Sequence, residues 1–273
     1  MVYLRHVRVA SFNIQHGLRT VSSGFDRATY VDAIAELDAD VLALQEVDVL
    51  QPRTYGLDQA ALAGEAIDAV DVRFAPTLLG TPGERWRPAA GVGTDAPITD
   101  GDGPAYGLAL ASRYPVRSWH QAAFPAAPGR WPILVPGRRT PVLLADEPRA
   151  VIAAVVEVPG GVLTVATTHL SFAPGWNTWQ LRRVIRFLRP LPAPRILIGD
   201  LNIPGRIARL AGGDWKPLVS TPTYPAREPR IQFDHALGHG GVPPLVGFAA
   251  PALGISDHRA LVLDLADRSD VPH

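Results

Sequence analysis

Residues Arg195 to Pro204 read RILIGDLNIP. The apolar run Ile196-Leu197-Ile198 lies between Pro194 and Gly199, which predicts a short buried strand. It stops at Gly199-Asp200-Leu201-Asn202. Strand alternation puts Asp200 and Asn202 on one side of the backbone and Leu201 on the other, in apolar packing. A carboxylate and an amide held by a rigid strand end suit one chemistry. The carboxylate takes a proton from water, and the amide donates to a developing negative oxygen. Gly199 lets the backbone turn there without a Cβ clash. The competing reading is an ordinary Asp/Asn turn after a strand. The rest of the chain decides between them.

The 273 residues suffice for a sizeable core, and 47% hydrophobic with 19% charged residues argues against disorder. Lys+Arg and Asp+Glu stand at 26 each, so the globally basic footprint of a nucleic-acid binder is absent, although a local basic cleft is not excluded. With no cysteine, disulfides, thiolate nucleophiles and zinc-thiolate sites are ruled out. The sole lysine, Lys216, sits in GGDWKP, which is not a P-loop. MVYLRHVRVASFN runs straight into a strand and lacks the pattern of a signal peptide, and no apolar run is long enough to span a membrane. A cytoplasmic protein is the default expectation.

Val7–Phe12 alternates and reads as a strand ending at Asn13. Asp26–Leu37 reads as a helix with Asp26 as N-cap, and Asp58–Val70 as a second. Val41–Leu44 is a short strand ending in Gln45-Glu46, and Val72–Leu79 is another. Residues 81–105 and 124–148, rich in Gly and Pro, read as long irregular segments. Asp100 to Gly103 loosely resembles a calcium loop but lacks the spacing and the closing Glu. Tyr106–Ser112 and Val116–Phe124 are strands, and Ala150–Val158 with Val162–Thr168 forms a hairpin. Trp176–Leu188 is an amphipathic helix whose arginine face is solvated or, less simply, meets nucleic acid. Ile207–Leu210 is a short helix. Ile231–Leu237, Val242–Ala249 and Ala260–Leu265 complete the strands. Strands outnumber helices and no linker interrupts them, which predicts an α+β sandwich: a single domain over residues 1–267 with a short tail at 268–273.

One pattern recurs. Asn13, Glu46, Tyr106, His169, Asp200 with Asn202, Asp234, and Asp257 with His258 each fall at the end or start of an apolar strand. Polar groups at one rim of a packed sheet make a site, because the sheet fixes them in place. The segments SFNIQHG (Ser11–Gly17), LQEVD (Leu44–Asp48), YGLALASRYPV (Tyr106–Val116), EPRA (Glu147–Ala150), THLS (Thr168–Ser171), IGDLN (Ile198–Asn202), FDHAL (Phe233–Leu237) and SDHRALV (Ser256–Val262) follow in order across almost the whole chain. Together they resemble the endonuclease/exonuclease/phosphatase superfamily, which includes exonuclease III-like AP endonucleases, DNase I, neutral sphingomyelinases and inositol polyphosphate 5-phosphatases.

The resemblance implies a four-layer αββα sandwich of two packed mixed sheets with helices outside. It also implies hydrolysis of a phosphodiester or phosphomonoester by an activated water. Glu46 would be an oxygen ligand for a hard cation, Mg²⁺ or Mn²⁺, completed or supported by Asn13 and Asp257. Asp200 would activate water, and Asn202 would position it. His258 would donate to a phosphate oxygen, with Asp234 on the other imidazole nitrogen. His169 and Tyr106 would bind nonbridging oxygens. The substrate would be a phosphate ester on a small molecule, a lipid headgroup or a nucleic acid. No protein partner is implied, and a monomer is expected. A nuclease and a non-catalytic binding module are the alternatives. Leu108 stands where the family often has Asn, and Gln232-Phe233 replaces the usual residues before Asp234. His16 either lines the site or packs locally. Glu147 and Arg149 read as an ion pair supporting the rim. His6, His120, His235, His239 and His273 are set aside as non-functional.

Overall fold

The computed structural model describes residues 6–17, 24–89, 103–133 and 140–266. The resemblance to a calcium loop, which spans Asp100 to Gly103, falls almost wholly outside them, as does the tail. In chain order the strands are β1 (His6–Asn13), β2 (Val41–Val49), β3 (Asp71–Gly80), β4 (Trp86–Pro88), β5 (Ala105–Ser112), β6 (Val116–Phe124), β7 (Arg130–Ile133), β8 (Val142–Ala145), β9 (Arg149–Val158), β10 (Gly161–Thr168), β11 (Arg195–Asp200), β12 (Lys216–Pro217), β13 (Asp234–His239), β14 (Leu245–Ala249) and β15 (Leu261–Ala266). The α-helices are α1 (Arg27–Ala35), α2 (Gln59–Ala66), α3 (Trp176–Leu188) and α4 (Gly205–Ala211).

Side-chain alternation sorts these strands into layers. Val7 and Val9 of β1, Val41 and Ala43 of β2, and Leu163, Val165, Ile196 and Ile198 of β10 and β11 share one core between two sheets. Their neighbours Ala10, Phe12, Leu42 and Leu44 face the other way, against Tyr30, Ile34, Leu62 and Ala63 of α1 and α2. On the far side Ala166, Leu197 and Leu237 meet Leu181, Val184 and Leu188 of α3 and Ala208 of α4. The result is the four-layer αββα sandwich. One sheet runs β14-β15-β1-β2-β5-β3-β4 and the other β12-β13-β11-β10-β9-β6. β1 with β2 and β10 with β11 are parallel while their other neighbours are antiparallel, so both sheets are mixed.

Asp26 caps α1 by accepting from the Thr29 N–H at 2.7 Å, and Asp58 caps α2 through the N–H groups of Ala60 and Ala61. Helix α2 stops well before Val70, because the backbone turns left-handed at Asp68, φ +53°. Strand β2 does not end at Glu46. It continues to Val49 through a bulge, with the register against β5 shifting between Leu44 and Val47 and Glu46 at φ +58°. The proline-rich stretch 124–148 contains the hairpin β7–β8, and β4 interrupts the first irregular segment. Strands β13 and β14 begin later than their apolar patterns suggest, at Asp234 and Leu245.

Candidate active site

Register brings the strand-end residues to one rim. Asn13 closes β1 opposite Gln45. Asp48 of β2 faces Tyr106 near the start of β5. Asp200 closes β11 directly opposite Asp234, which opens β13. At the bulge Gln45 turns inward, donating to Thr167 Oγ1 of the other sheet at 2.8 Å and lying 3.1 Å from Ser11 Oγ. That leaves the next residue, Glu46, pointing to the rim.

The polar groups there form a continuous chain. Asn13 Nδ2 donates to Glu46 Oε1 and to Asp200 Oδ2, both at 3.0 Å. Asp200 Oδ1 accepts the backbone N–H of Asn202 at 2.9 Å. His258 Nε2 lies 3.7 Å from Asp200 Oδ2, and its Nδ1 lies 2.8 Å from Asp234 Oδ2. Ser256 Oγ donates to the Asn13 carbonyl at 2.6 Å and accepts the His258 N–H at 3.0 Å, tying the last loop to β1. Asp257 is held by its N–H on Gln15 Oε1 at 3.2 Å.

Asn202 does converge with Asp200, but not by strand alternation. The strand ends at Asp200, and Asn202 sits left-handed at φ +50°. Its amide donates to the Leu170 carbonyl and to His169 Nε2, each at 3.0 Å, and Asn177 of α3 holds its carbonyl at 2.8 Å. His169 Nε2 is therefore an acceptor in this arrangement, with the ring proton on Nδ1. Leu201 is buried, as alternation predicts. Gly199 is required by crowding: a Cβ there would meet the Thr168 carbonyl at 2.4 Å.

Charge is concentrated and desolvated. Burial lifts Glu46 to about 7, against the hydrogen bond from Asn13. Burial also raises Asp200 and Asp257, in each case opposed by the charge of His258. Burial alone would lower His258, but Asp234 and Asp200 outweigh it and lift the imidazole to about 10. It is the charged partner of the carboxylates. His169 is pushed well below the usual histidine range by burial and by the Arg149 cation, so it is neutral. Burial raises the Tyr106 hydroxyl well above its usual range.

Three further residues belong to this rim. His16, at φ +59°, packs its ring 5.5 Å from that of Tyr106 and places Nε2 3.6 Å from Glu46 Oε2. It lines the site, and burial with the Arg53 charge lowers it to about 3. Arg149 is buried beside Tyr106 and His169, and its ion pair is with Asp146 at 3.0 Å, not with Glu147. Tyr224 sets its ring 5.0 Å from that of His258. The EPRA segment signalled Arg149, whereas nothing local to Tyr224 signalled its packing. His235 and His239 are structural, bonding the Ile203 carbonyl and bridging Arg195 to Asp214.

The donor set suits a hard divalent cation. Glu46 and Asp257 are desolvated carboxylates that repel each other, and no soft donor competes with them. Asn13 spaces Glu46 from Asp200, while its side-chain Oδ1 accepts the Gln15 N–H at 3.2 Å. Asp200, Asp234 and His258 also place ligand-type atoms within 4.8 Å of one another. The 2.8 Å contact between His258 and Asp234 occupies Nδ1 and leaves Nε2 facing Asp200.

The model of the Endonuclease/Exonuclease/phosphatase family matches residues 10–258, a span that holds every residue of this rim. The chain belongs to the endonuclease/exonuclease/phosphatase family. That family is a superfamily of phosphoesterases and nucleases, typically dependent on divalent metal. An endonuclease/exonuclease/phosphatase from Beutenbergia cavernae DSM 12333 is 21% identical, with TM-score 0.66 over 96% of this chain and 72% of its own. Sphingomyelinase C from Streptomyces griseocarneus is 16% identical, with TM-score 0.60 over 96% and 99%. D. rerio TDP2, complexed with single strand DNA product, is 15% identical, with TM-score 0.55 over 95% and 98%. At these identities the likeness is one of fold. No curated protein matches the sequence. No helix among the described residues is long and apolar enough to cross a membrane.

Proposed function

We propose that this family member is a Mg²⁺- or Mn²⁺-dependent phosphoesterase that cleaves a phosphate ester by direct attack of water, using one domain. The observation that carries this reading is the unbroken chain Glu46–Asn13–Asp200–His258–Asp234 across the two sheets. Glu46 and Asp257 would hold the cation, with Asn13 keeping Glu46 apart from Asp200. When bound, the cation supplies positive charge against the phosphate and the leaving oxygen.

The remaining steps are done by the chain's own residues. Asp200, fixed by the Asn202 N–H and the Asn13 amide, orients a water and takes its proton as oxygen attacks phosphorus. Asn202 is held by Leu170, His169 and Asn177, which commits both its amide N–H groups and leaves Oδ1 to accept from the water and orient it. His258, charged and steadied by Asp234, donates from Nε2 to a nonbridging oxygen as charge grows there. Tyr106, His169 and the buried Arg149 line the phosphate side. The bond from phosphorus to the ester oxygen breaks, that oxygen departs as the alcohol after taking a proton from solvent, and no covalent enzyme intermediate forms.

The test is hydrolysis of bis-p-nitrophenyl phosphate by the full chain with Mg²⁺ or Mn²⁺. Asp200→Ala and His258→Ala should each lower kcat by about 10²–10⁴-fold. Unchanged rates in both would sink the assignment. A non-catalytic module is disfavoured because every polar group the chemistry needs is present.

A further inference from the structure

Beside the rim lies a cavity of about 750 Å³, lined by Arg206 and Arg209 of α4, Lys216 of β12, Arg230, Thr221 and Gln232 among others. No Asp or Glu lines it. The molecule as a whole is neutral, so four cations around one cavity are a local concentration of charge. The neighbouring acids are engaged elsewhere. Asp214 pairs with Arg189 at 2.9 Å and with His239 at 3.2 Å. Arg230 meets Glu228 at 2.8 Å, but both are more than three-quarters exposed, and such a pair is weak and easily exchanged for another anion. Arg206, Arg209 and Lys216 have no ion pair among the described residues.

The cavity wall adjoins, in the chain, the segments that carry the reacting groups. Gly205, on its wall, is three residues beyond Asn202, and Gln232 is two before Asp234. Gln232 Nε2 approaches the Asp234 carbonyl at 3.4 Å, and His235 on the lining bonds the Ile203 carbonyl at 2.8 Å. The segments that carry Asn202 and Asp234 thus continue into the cavity wall, and the cavity runs from there along the sheet edge to Lys216, which pairs with Gly238 four residues down β13 from Asp234. Arginine forks, an ammonium and a hydroxyl from Thr221 are donors suited to phosphate oxygens.

We infer that this cavity binds a second phosphate group of the substrate whose scissile phosphate sits at Asp200 and His258. The inference rests on the hydrolytic reading above. The second phosphate belongs either to an adjoining nucleotide of a single strand or to a small sugar bisphosphate.

The test compares the wild type with Arg206→Gln/Arg209→Gln/Lys216→Gln. Fluorescence anisotropy follows a labelled single-stranded oligonucleotide in EDTA across a salt series. One neutralised phosphate corresponds to a log–log salt slope of about 0.7 on a single strand, and the triple variant should lose that much slope with about tenfold or more in affinity. A wild-type slope near zero overturns the strand assignment without needing any variant. Steady-state kinetics on the oligonucleotide, on a sugar bisphosphate and on bis-p-nitrophenyl phosphate form the second arm. The KM for a substrate with two phosphates should rise about tenfold more than the KM for the single-phosphate ester. Dependence with the oligonucleotide assigns the site to a strand, and dependence with the bisphosphate alone assigns it to a small molecule. Dependence with neither overturns the inference. Cavity-dependent binding without turnover of any ester would leave the anion site standing and remove the hydrolytic reading. Turnover of the simple ester with no cavity effect does the reverse.

Discussion

His258 Nδ1 and Asp234 Oδ2 lie 2.8 Å apart on segments joined only through the tertiary fold, with both side chains buried. Against the penalty of burial, Asp234 and Asp200 keep the imidazole charged up to about pH 10. Asp234→Asn removes the larger of those two charges. The basic limb of the pH profile of kcat/KM should move down from about 10, and kcat at pH 8 should fall by roughly 10²-fold or more. Retention of the basic limb in the variant would show that His258 does not depend on Asp234.

Added Mg²⁺ should stabilise the protein more at pH 8 than at pH 5. Glu46 is raised from 4.5 to about 7, and Asp200 and Asp257 are raised too. At these three carboxyls the folded protein thus binds more protons than the unfolded chain across that window. The stability from these groups is fully present below about 3.8 and is lost as pH rises to about 7. A cation on the ionised carboxylates restores it. Thermal unfolding with and without Mg²⁺ at the two pH values is the measurement, and equal shifts in Tm would contradict it.

His16 should contribute in the opposite sense. Its pKa falls from 6.5 to about 3 on folding, because burial and the Arg53 charge oppose protonation. Its stability is present above about 6.5 and is lost as pH falls toward 3, with a slope of up to about 1.4 kcal/mol per pH unit. The difference in unfolding free energy between wild type and His16→Gln should shrink along that descent. A pH-independent difference would mean that His16 is protonated in the folded state.

Gly199→Ala should destabilise the protein by about 1–3 kcal/mol or more, since its Cβ would press on the Thr168 carbonyl at 2.4 Å. The urea midpoint reads this out. The same shift separates β11 from β10 and moves Asp200 relative to His169, so activity should fall further than stability alone explains. An unchanged midpoint would show that the two strands have slack.

The sequence by itself determined the layers. Alternation in Val7–Phe12 and the runs at Val41 and Ile196 reports which faces are apolar, and Asp26 and Asp58 carry their own capping chemistry, because all of these are local properties of the chain. It also marked the polar residues at strand ends. The tertiary structure alone decided how they meet. The bulge that turns Glu46 outward arises from register against β5. The clamp from Gln45 to Thr167 exists only where two sheets approach, and Arg149, at the start of β9, pairs with Asp146 and not with Glu147. The hairpin hidden among prolines was invisible, and although Arg206 and Arg209 are legible as candidates for a basic groove, their enclosure with Lys216 and Arg230 was not, since pairing and enclosure join residues far apart in the chain and leave no periodic trace in it.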